Sequence, residues 1–377
     1  MSIKAQPSFA LKDKLFNAAT LRVLADGLRQ AHPRFKQRSF EREVLARFSQ
    51  LELKERINWI VGMLESYLPT DFIQAQDILQ RALPEPLDPS KTDDDLGRYI
   101  WVVPGEYVAK HGCTENHLLA SLDFLREATK RCSSENAIRP FLDRFPEQTM
   151  AFVRDCASDS HYHVRRLASE GIRPFLPWSQ RVKLPPEQII GVLSQLYTDE
   201  TRFVTRSVAN TLNDLSKIDP EMVIDTLKRW QQQKGQHPAE LRWMTRHALR
   251  TLLKQSHPAT LELLGYPTTP RFRVSLVSTT EDVKVGDAFV WRCTLTSLAV
   301  QKLKIALRIH FLKANGRHST KVFTVKDAQL AKGERLHIDK RQVFKPITTR
   351  VLYPGTHFAE LVVNGIASEK RKFELVQ

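Results

Sequence analysis

Arginines and a lone carboxylate lie close together in the segment HYHVRRLASEGIRPFLPW, residues 161–178. Arg166 and Arg173 flank Glu170, and the segment ends in Trp178. Arginine binds phosphate through a planar pair of donors, whereas a carboxylate stabilises a nearby positive charge. These residue types predict a phosphate-binding surface with one acidic point. Trp178 either covers the end of a helical repeat or offers a rigid aromatic face to a ligand.

The spacing of the residues predicts that HYHVRRLASEG is a helix with two distinct faces. Val164, Leu167, Ala168 and Gly171 recur at the intervals of a buried stripe. The same spacing predicts a polar stripe on another face of this helix and of the two helices that repeat it. Its members are His163, Arg166 and Glu170, then Arg206, Asn210 and Asp214, then Arg246, Arg250 and Lys254. Gly171 and Pro174 should end the first helix.

An internal repeat in the sequence indicates the architecture that places these stripes beside one another. Four arginines, each preceded two positions earlier by an apolar residue, are spaced 40 residues apart: Arg126, Arg166, Arg206 and Arg246. A repeat of about 40 residues is typical of HEAT-type pairs of helices that stack into a solenoid. In such arrays Asp and Arg often bond between neighbouring repeats. A structural role for Asp159, Asp199 and the repeat arginines is therefore an open alternative.

Composition separates the chain into two regions. Up to about residue 267 apolar residues recur at helical spacing, and afterwards they alternate, as in Leu303, Ile305 and Leu307. The sequence therefore predicts a mainly α fold: a HEAT-like solenoid over 1–267, followed by an all-β immunoglobulin-like sandwich over 268–377.

Charge is distributed unevenly between these regions. The net charge is +15, and residues 268–377 hold 20 Lys and Arg against 9 Asp and Glu. A charge of this kind indicates a polyanionic partner. The sandwich is predicted to be a basic clamp on such a partner, nucleic acid being one candidate, with a merely solubilising surface as the alternative.

The four cysteines show no metal-ligand spacing and no pairing pattern, which favours a reduced, cytoplasmic protein without structural zinc. No uncharged apolar run approaches 18 residues, so no membrane partner is expected. P-loop, GxGxxG, HExxH and GxSxG signatures are absent from the sequence.

Three blocks of the helical region resemble one family. RRLASEGIRPFLPW (165–178), SVANTLNDLSKIDP (207–220) and SSENAIRPFL (133–142) are similar to the signature blocks of the AlkC/AlkD superfamily of HEAT-like-repeat DNA glycosylases. The C-terminal sandwich is similar to a domain found in part of the AlkC branch.

The resemblance implies hydrolysis of the N-glycosidic bond of cationic alkylated bases in duplex DNA, chiefly 3-methyladenine, with 3-methylcytosine in the AlkC branch. It implies a monomer that needs no cofactor or metal and reaches the lesion without a deep base-flipping pocket. By motif position Glu170 is the central catalytic carboxylate, with Glu135 and Asp214 as acidic companions and Trp178 as the aromatic element. The residues expected to bind the DNA backbone are His163, Arg165, Arg166, Arg173, Arg206, Asn210, Arg246, Arg250 and Lys254.

Two other classes of protein remain open. A non-catalytic HEAT-repeat protein that binds distorted or damaged DNA would show the same repeats and charge, but it would give Glu170 and Trp178 no task. A protein–protein adaptor would instead present apolar or acidic stripes.

Overall fold

The structure is a computed structural model that describes residues 11–90, 97–345 and 351–376. The described chain forms two compact units. The first contains the residues up to Ile218 together with Trp230–Ala248, and the second contains Asp219–Arg229 and the residues from Leu249 onwards.

The regular secondary structure of the described chain up to residue 263 consists of helices. Their bounds are α1 Leu11–Leu15, α2 Ala18–Ala31, α3 Gln37–Leu45, α4 Leu53–Glu65, α5 Phe72–Ala82, α6 Val102–Gly112, α7 Leu118–Thr129, α8 Arg139–Arg144, α9 Pro146–Cys156, α10 Tyr162–Glu170, α11 Pro186–Leu196, α12 Arg202–Leu215, α13 Pro220–Gln233, α14 Pro238–Ala248, α15 Arg250–Gln255 and α16 Pro258–Leu263.

The 40-residue repeat falls on helices that pack against one another. Its arginines lie on α7, α10, α12 and α14, and each of these helices contacts the next in that order. The apolar stripe of α10 is buried as predicted, since Val164, Leu167 and Ala168 are all inaccessible to solvent. The helix ends at Glu170, directly before Gly171. The predicted helical-repeat architecture is confirmed.

Strands follow the helices. Their bounds are β1 Phe272–Thr279, β2 Asp282–Lys284, β3 Ala288–Ser297, β4 Gln301–Leu312, β5 His318–Leu330, β6 Arg335–Val343, β7 Gly355–Val363, β8 Ile366–Ala367 and β9 Arg371–Val376. They form one sheet in the order β1-β3-β6 and a second in the order β2-β9-β7-β4-β5, with β8 beside β7.

One hydrophobic cluster joins the two sheets into a sandwich. Alternate residues of β3, from Phe289 to Leu295, and of β4, from Leu303 to Phe311, are buried in it. This is the period-2 pattern of a strand with one face in a core, so the predicted sandwich is confirmed. Cys293 lies in this core as a free thiol.

The sandwich is in contact with the segment that follows α16, within the second unit. The Nζ of Lys302 donates to the carbonyl of Leu264 at 2.9 Å and lies over the ring of Tyr266. The Asn364 side chain donates to the carbonyl of Pro267 at 3.0 Å. The domain boundary at residues 267/268 therefore stays a prediction, and contacts cross it.

Part of the basic charge of the sandwich is turned inward. Lys304 is buried, and Arg308 pairs with Glu360 at 2.9 Å. By contrast Lys313, Arg317 and Lys321 are exposed. If this domain clamps DNA, the exposed residues Lys313, Arg317 and Lys321 are the ones available to contact it.

No helix in the described part of the chain is long and apolar enough to cross a bilayer.

Packing at the end of α6 generates a test of the fold. A Cβ added to Gly112 would lie 2.2 Å from Ser121 Oγ and 2.3 Å from Phe72 Cζ. We expect Gly112→Ala to lower the free energy of unfolding by about 1–3 kcal/mol, because buried side chains must move. Gly62→Ala is the matched control in α4, where a Cβ would meet nothing within 4 Å. Since alanine favours helix, this control should be up to about 1 kcal/mol more stable than the wild type. Thermal unfolding of both variants measures these changes in stability. Equal melting temperatures for the two variants would contradict the close packing around Gly112.

Candidate active site

A chain of alternating charges runs through the interior of the first unit. Arg166 bridges two glutamates, with Nη1 at 2.9 Å from Glu135 Oε2 and Nη2 at 3.8 Å from Glu170 Oε2. Arg173 bridges the next two carboxylates, with Nη1 at 2.5 Å from Glu170 Oε1 and Nε at 3.0 Å from Asp214 Oδ2. We call these five residues the charge chain. It joins α10, α12, the turn after α10 and the segment before α8.

Glu170 is the centre of the charge chain and is only 4% exposed. Burial alone would raise the pKa of its carboxyl, but Arg166 and Arg173 outweigh burial and hold that pKa below its usual value. Ser207 on α12 also stabilises the anion, donating its hydroxyl to Oε2 at 2.6 Å. Glu170 is therefore a buried anion at neutral pH.

Asp214 terminates the charge chain on the side of α12 and is 2% exposed. Besides Arg173, it accepts a hydrogen bond from Lys217 Nζ at 2.9 Å. Asp214 does not line the cavity described next. It acts on the site through Arg173, whose guanidinium it helps to orient.

A cavity of about 530 Å³ in the first unit brings three of the four predicted catalytic residues together, namely Glu170, Glu135 and Trp178. Its walls also include Lys54, Tyr99, Glu106, Arg139 and Arg173. The carboxyl of Glu135 accepts from Ser133 Oγ at 2.7 Å as well as from Arg166. Anionic groups and an aromatic ring thus face one space, which suits a guest that is cationic or becomes so.

Trp178 stands at this cavity with an unusual backbone. Its side chain is 76% exposed, and its φ of 60° lies in the left-handed region that non-glycine residues rarely adopt. A backbone conformation of this kind persists only where the surrounding structure holds it. We expect the backbone at Trp178 to keep its conformation when a ligand arrives.

Arg139 supplies the support for this loop. Its guanidinium is fully buried and donates to three carbonyl groups, of Gly171 at 2.9 Å, Arg173 at 2.8 Å and Gln180 at 2.7 Å. These carbonyls lie on both sides of Trp178 in the sequence. Burial and the neighbouring Arg173 lower the pKa of Arg139 to about 10, so the side chain stays charged at neutral pH.

The predicted DNA-binding residues do not form one uniform surface. His163 is 2% and Arg173 8% exposed, so the surface stripe predicted through His163 is wrong at that position. Arg165 forms an ion pair with Asp199, with Nε 2.5 Å from Oδ2, and this contact joins neighbouring repeats. Arg206 is half-buried, and Asn210 Oδ1 lies 2.9 Å from His247 Nε2.

Three predicted DNA-binding residues are exposed: Arg246, Arg250 and Lys254. The prediction that they follow one continuous helix is wrong, because α14 ends at Ala248 and α15 begins at Arg250. Leu249 between them departs from helical geometry, with ψ near 10°. All three remain candidates for phosphate contacts.

Two residues of the site, Arg139 and Glu106, were not predicted from the sequence, although a sequence feature marks each of them. Arg139 occurs in IRPFL (138–142), the pentapeptide that returns at 172–176 around Arg173. Glu106 is the one acidic residue in the otherwise apolar run WVVPGEYVA (101–109), which suggests a polar group at a wall of a cavity.

Comparisons with known proteins agree with this architecture. A family model described as the C-terminal Ig-like domain of the uncharacterised protein YhaZ matches residues 273–377. YhaZ of Bacillus subtilis is 30% identical over 367 residues, which is 96% of this chain and 98% of that protein. Alkylpurine DNA glycosylase AlkC of Pseudomonas fluorescens, solved with DNA containing an abasic site analog, is 30% identical, with a TM-score of 0.85 over 98% of this chain and 100% of its own.

The support for the Trp178 loop can be tested with Arg139→Lys. Lysine keeps the charge but replaces a fork of donors by a single point, so most of the three carbonyl contacts should be lost. We expect a loss of stability on the order of 3 kcal/mol and faster trypsin cleavage after Arg181. Arg144→Lys is the matched control, since Arg144 donates to a single carbonyl, that of Cys113. Thermal unfolding and limited proteolysis measure the two effects, and a wild-type cleavage rate in Arg139→Lys would show that other contacts hold the loop.

Proposed function

The chain belongs to the AlkC family of helical-repeat proteins with a C-terminal immunoglobulin-like domain, and we propose on this basis that it is a DNA glycosylase that releases alkylated bases from duplex DNA. The observation that carries the proposal is the charge chain at the cavity, with Glu170 held as an anion beside an exposed aromatic ring. We propose cationic lesions as its substrates, 3-methyladenine first and 3-methylcytosine second.

The chemistry of a cationic lesion fits the residues of the cavity. A base alkylated on a ring nitrogen already carries positive charge, so it departs as a neutral molecule without first taking a proton. What the protein must supply is stabilisation of the sugar, which becomes oxocarbenium-like as the bond breaks. At about 4 Å and an effective dielectric constant of 20, one carboxylate contributes on the order of 4 kcal/mol, or about three orders of magnitude in rate. We assign this role to Glu170.

The arginines beside Glu170 serve a positioning role. Since Arg166 and Arg173 each contact two carboxylates, the position of Glu170 is fixed from two sides. Such an arrangement needs no reorganisation when charge develops on the substrate. Glu135 lines the same cavity, where its carboxyl is suited to orient a water molecule.

Trp178 offers its face at the cavity. An aromatic face attracts a cation with roughly 0.5–2 kcal/mol. Because the ring is exposed and its backbone is held by neighbouring contacts, we propose that it packs against the lesion or its sugar. A deep pocket for an extruded base is not needed for this contact.

DNA binding should depend on phosphate contacts that carry no sequence information, as suits an enzyme that repairs lesions anywhere. The exposed residues Arg246, Arg250 and Lys254 are our candidates on the helical side. In the sandwich, Lys313, Arg317 and Lys321 are the exposed members of the basic cluster, and we propose that this domain is a second clamp.

A direct test uses duplexes with a single 3-methyladenine, 3-methylcytosine or 7-methylguanine, with neutral ethenoadenine for comparison. We expect free base from the cationic lesions, measured by chromatography with enzyme in excess. In Glu170→Gln the single-turnover rate should fall by about three orders of magnitude, since the charge is lost while the shape is kept.

Loss of one partner from a buried ion pair can cost about 3–5 kcal/mol of stability, so a variant that keeps the charge is also needed. Ser207→Ala removes only the hydroxyl that donates to Glu170 Oε2 and should slow excision by roughly tenfold. Binding of damaged duplex with no base release by the wild type would favour the non-catalytic DNA-binding alternative.

Salt dependence tests the phosphate contacts. The logarithm of the binding constant for undamaged duplex should fall linearly with the logarithm of salt concentration, with a slope of about 0.9 per contacted phosphate. Changing Arg246, Arg250 and Lys254 together to glutamine should reduce the slope by up to about 2.7. The same change at Arg22, Lys228 and Lys234, which are exposed and lie outside α14 and α15, removes equal charge and is the control. Equal slopes for the two triple variants would show that overall charge, not a local contact, drives binding.

A further inference from the structure

Glu106 is an acidic residue that lines the cavity and does not belong to the charge chain. It lies in α6, where its neighbours Gly105 and Tyr107 are buried, and it lines the same cavity as Glu170, Glu135 and Trp178. Its helix is adjacent to α4, which contributes Lys54 to the cavity wall. The sequence thus directs one acidic side chain of a largely buried helix into the space where a substrate would bind.

The carboxyl of Glu106 differs from the other carboxyls of the cavity in its contacts. Glu170 accepts hydrogen bonds on both oxygens, from Arg173 and Ser207, and Glu135 accepts from Ser133 and Arg166. Among the described residues Glu106 has no hydrogen bond and no ion pair. Its lone pairs are therefore available to a molecule inside the cavity.

We propose that Glu106 is the general base of the excision reaction, a role that rests on the function proposed above. The oxygen of a water molecule forms a bond to C1′ of the damaged nucleotide, and Glu106 takes a proton from that water. The C1′–N bond breaks, and its electron pair goes to the base nitrogen, which cancels the positive charge of the lesion. The products are a neutral free base, a hydroxyl group on C1′ and a protonated Glu106, so atoms and charge balance.

The pKa values of the two carboxyl groups favour Glu106 as the proton acceptor and Glu170 as the permanent anion. Burial raises the pKa of Glu106 to about 7 and outweighs the opposing effect of the positive charge on Lys54. A general base whose pKa lies near the working pH is ionised in a large fraction of the molecules and still binds a proton well. Glu170 has a lowered pKa and holds a proton poorly. The other ionisable groups at the cavity are Tyr99, Glu135, Arg139 and Arg173; burial raises the pKa of Tyr99 to about 12, so it stays neutral.

The experiment is the pH profile of single-turnover base release by the full-length protein from a 3-methyladenine duplex. For the wild type we expect the rate to rise about tenfold per pH unit below pH 7 and to level off above it, following ionisation of Glu106. Glu106→Gln should lose about 10²- to 10⁴-fold in rate, and the remaining rate should no longer depend on pH. Glu106→Asp should keep the pH-dependent limb at a reduced rate. Glu187→Gln, an exposed glutamate of α11, is the control and should behave as the wild type.

Thermal unfolding supplies a readout that does not require activity. A carboxyl with a raised pKa in the folded state destabilises the fold progressively as pH rises from about 4.5 to about 7. Glu106→Gln lacks this effect, so its melting temperature relative to the wild type should increase between pH 5 and pH 8. A variant that is more stable at pH 8 and yet slower would support the assignment, because a structural role predicts the opposite change in stability.

The possible failures are distinguishable. If the wild type releases no base from any lesion, the proposed function fails and the role of Glu106 fails with it. If the wild type is active and Glu106→Gln keeps either its rate or its pH-dependent limb, the general-base role is wrong while the proposed function stands. A melting-temperature difference that stays constant between pH 5 and pH 8 would also overturn the role, because Glu106 would not then titrate near neutral pH.

Discussion

The site depends on one constraint: a carboxylate at the end of a buried helix can remain ionised only if cations are fixed beside it. Removing Glu170 from water carries a desolvation cost of several kcal/mol. The charge chain offsets this cost because both of its arginines contact Glu170 and a further carboxylate. The stacked helices α10 and α12, the turn after α10 and the segment before α8 must therefore keep their relative positions. The repeat architecture supplies that rigidity.

The pentapeptide IRPFL shows how the same local sequence serves two purposes in this fold. At 138–142 its arginine, Arg139, binds carbonyl groups and shapes a loop, whereas at 172–176 Arg173 binds carboxylates and fixes charge. In both copies a proline follows the arginine, and in the first copy it lies in the first turn of α8. The difference in role comes from what surrounds each copy. Backbone carbonyls face the first, and acidic side chains of α10 and α12 face the second.

The sequence was most informative where chemistry is tied to periodicity. A 40-residue spacing placed four arginines on successive packed helices, and alternation identified the buried residues of β3 and β4. Glu170, Glu135 and Trp178 were predicted as one site and line one cavity. Glu106 has no periodic relation to them, because α6 precedes the first helix that carries a repeat arginine, α7. The burial of His163 and the interruption at Leu249 likewise depend on neighbouring helices and local backbone geometry, which single-sequence spacing does not encode.

The charge chain also affects how sequence variation at this site should be understood. Replacing any one of its five members leaves a neighbour buried with an unmatched charge, so the same substitution harms both the fold and the chemistry. In a large library of random variants, depletion at Glu170 or Arg173 would not tell a catalytic position from a structural one. Paired replacements that keep the alternation of charge would separate the two meanings. In evolution these positions should therefore change in a correlated way, because few single substitutions among them are neutral for both stability and activity.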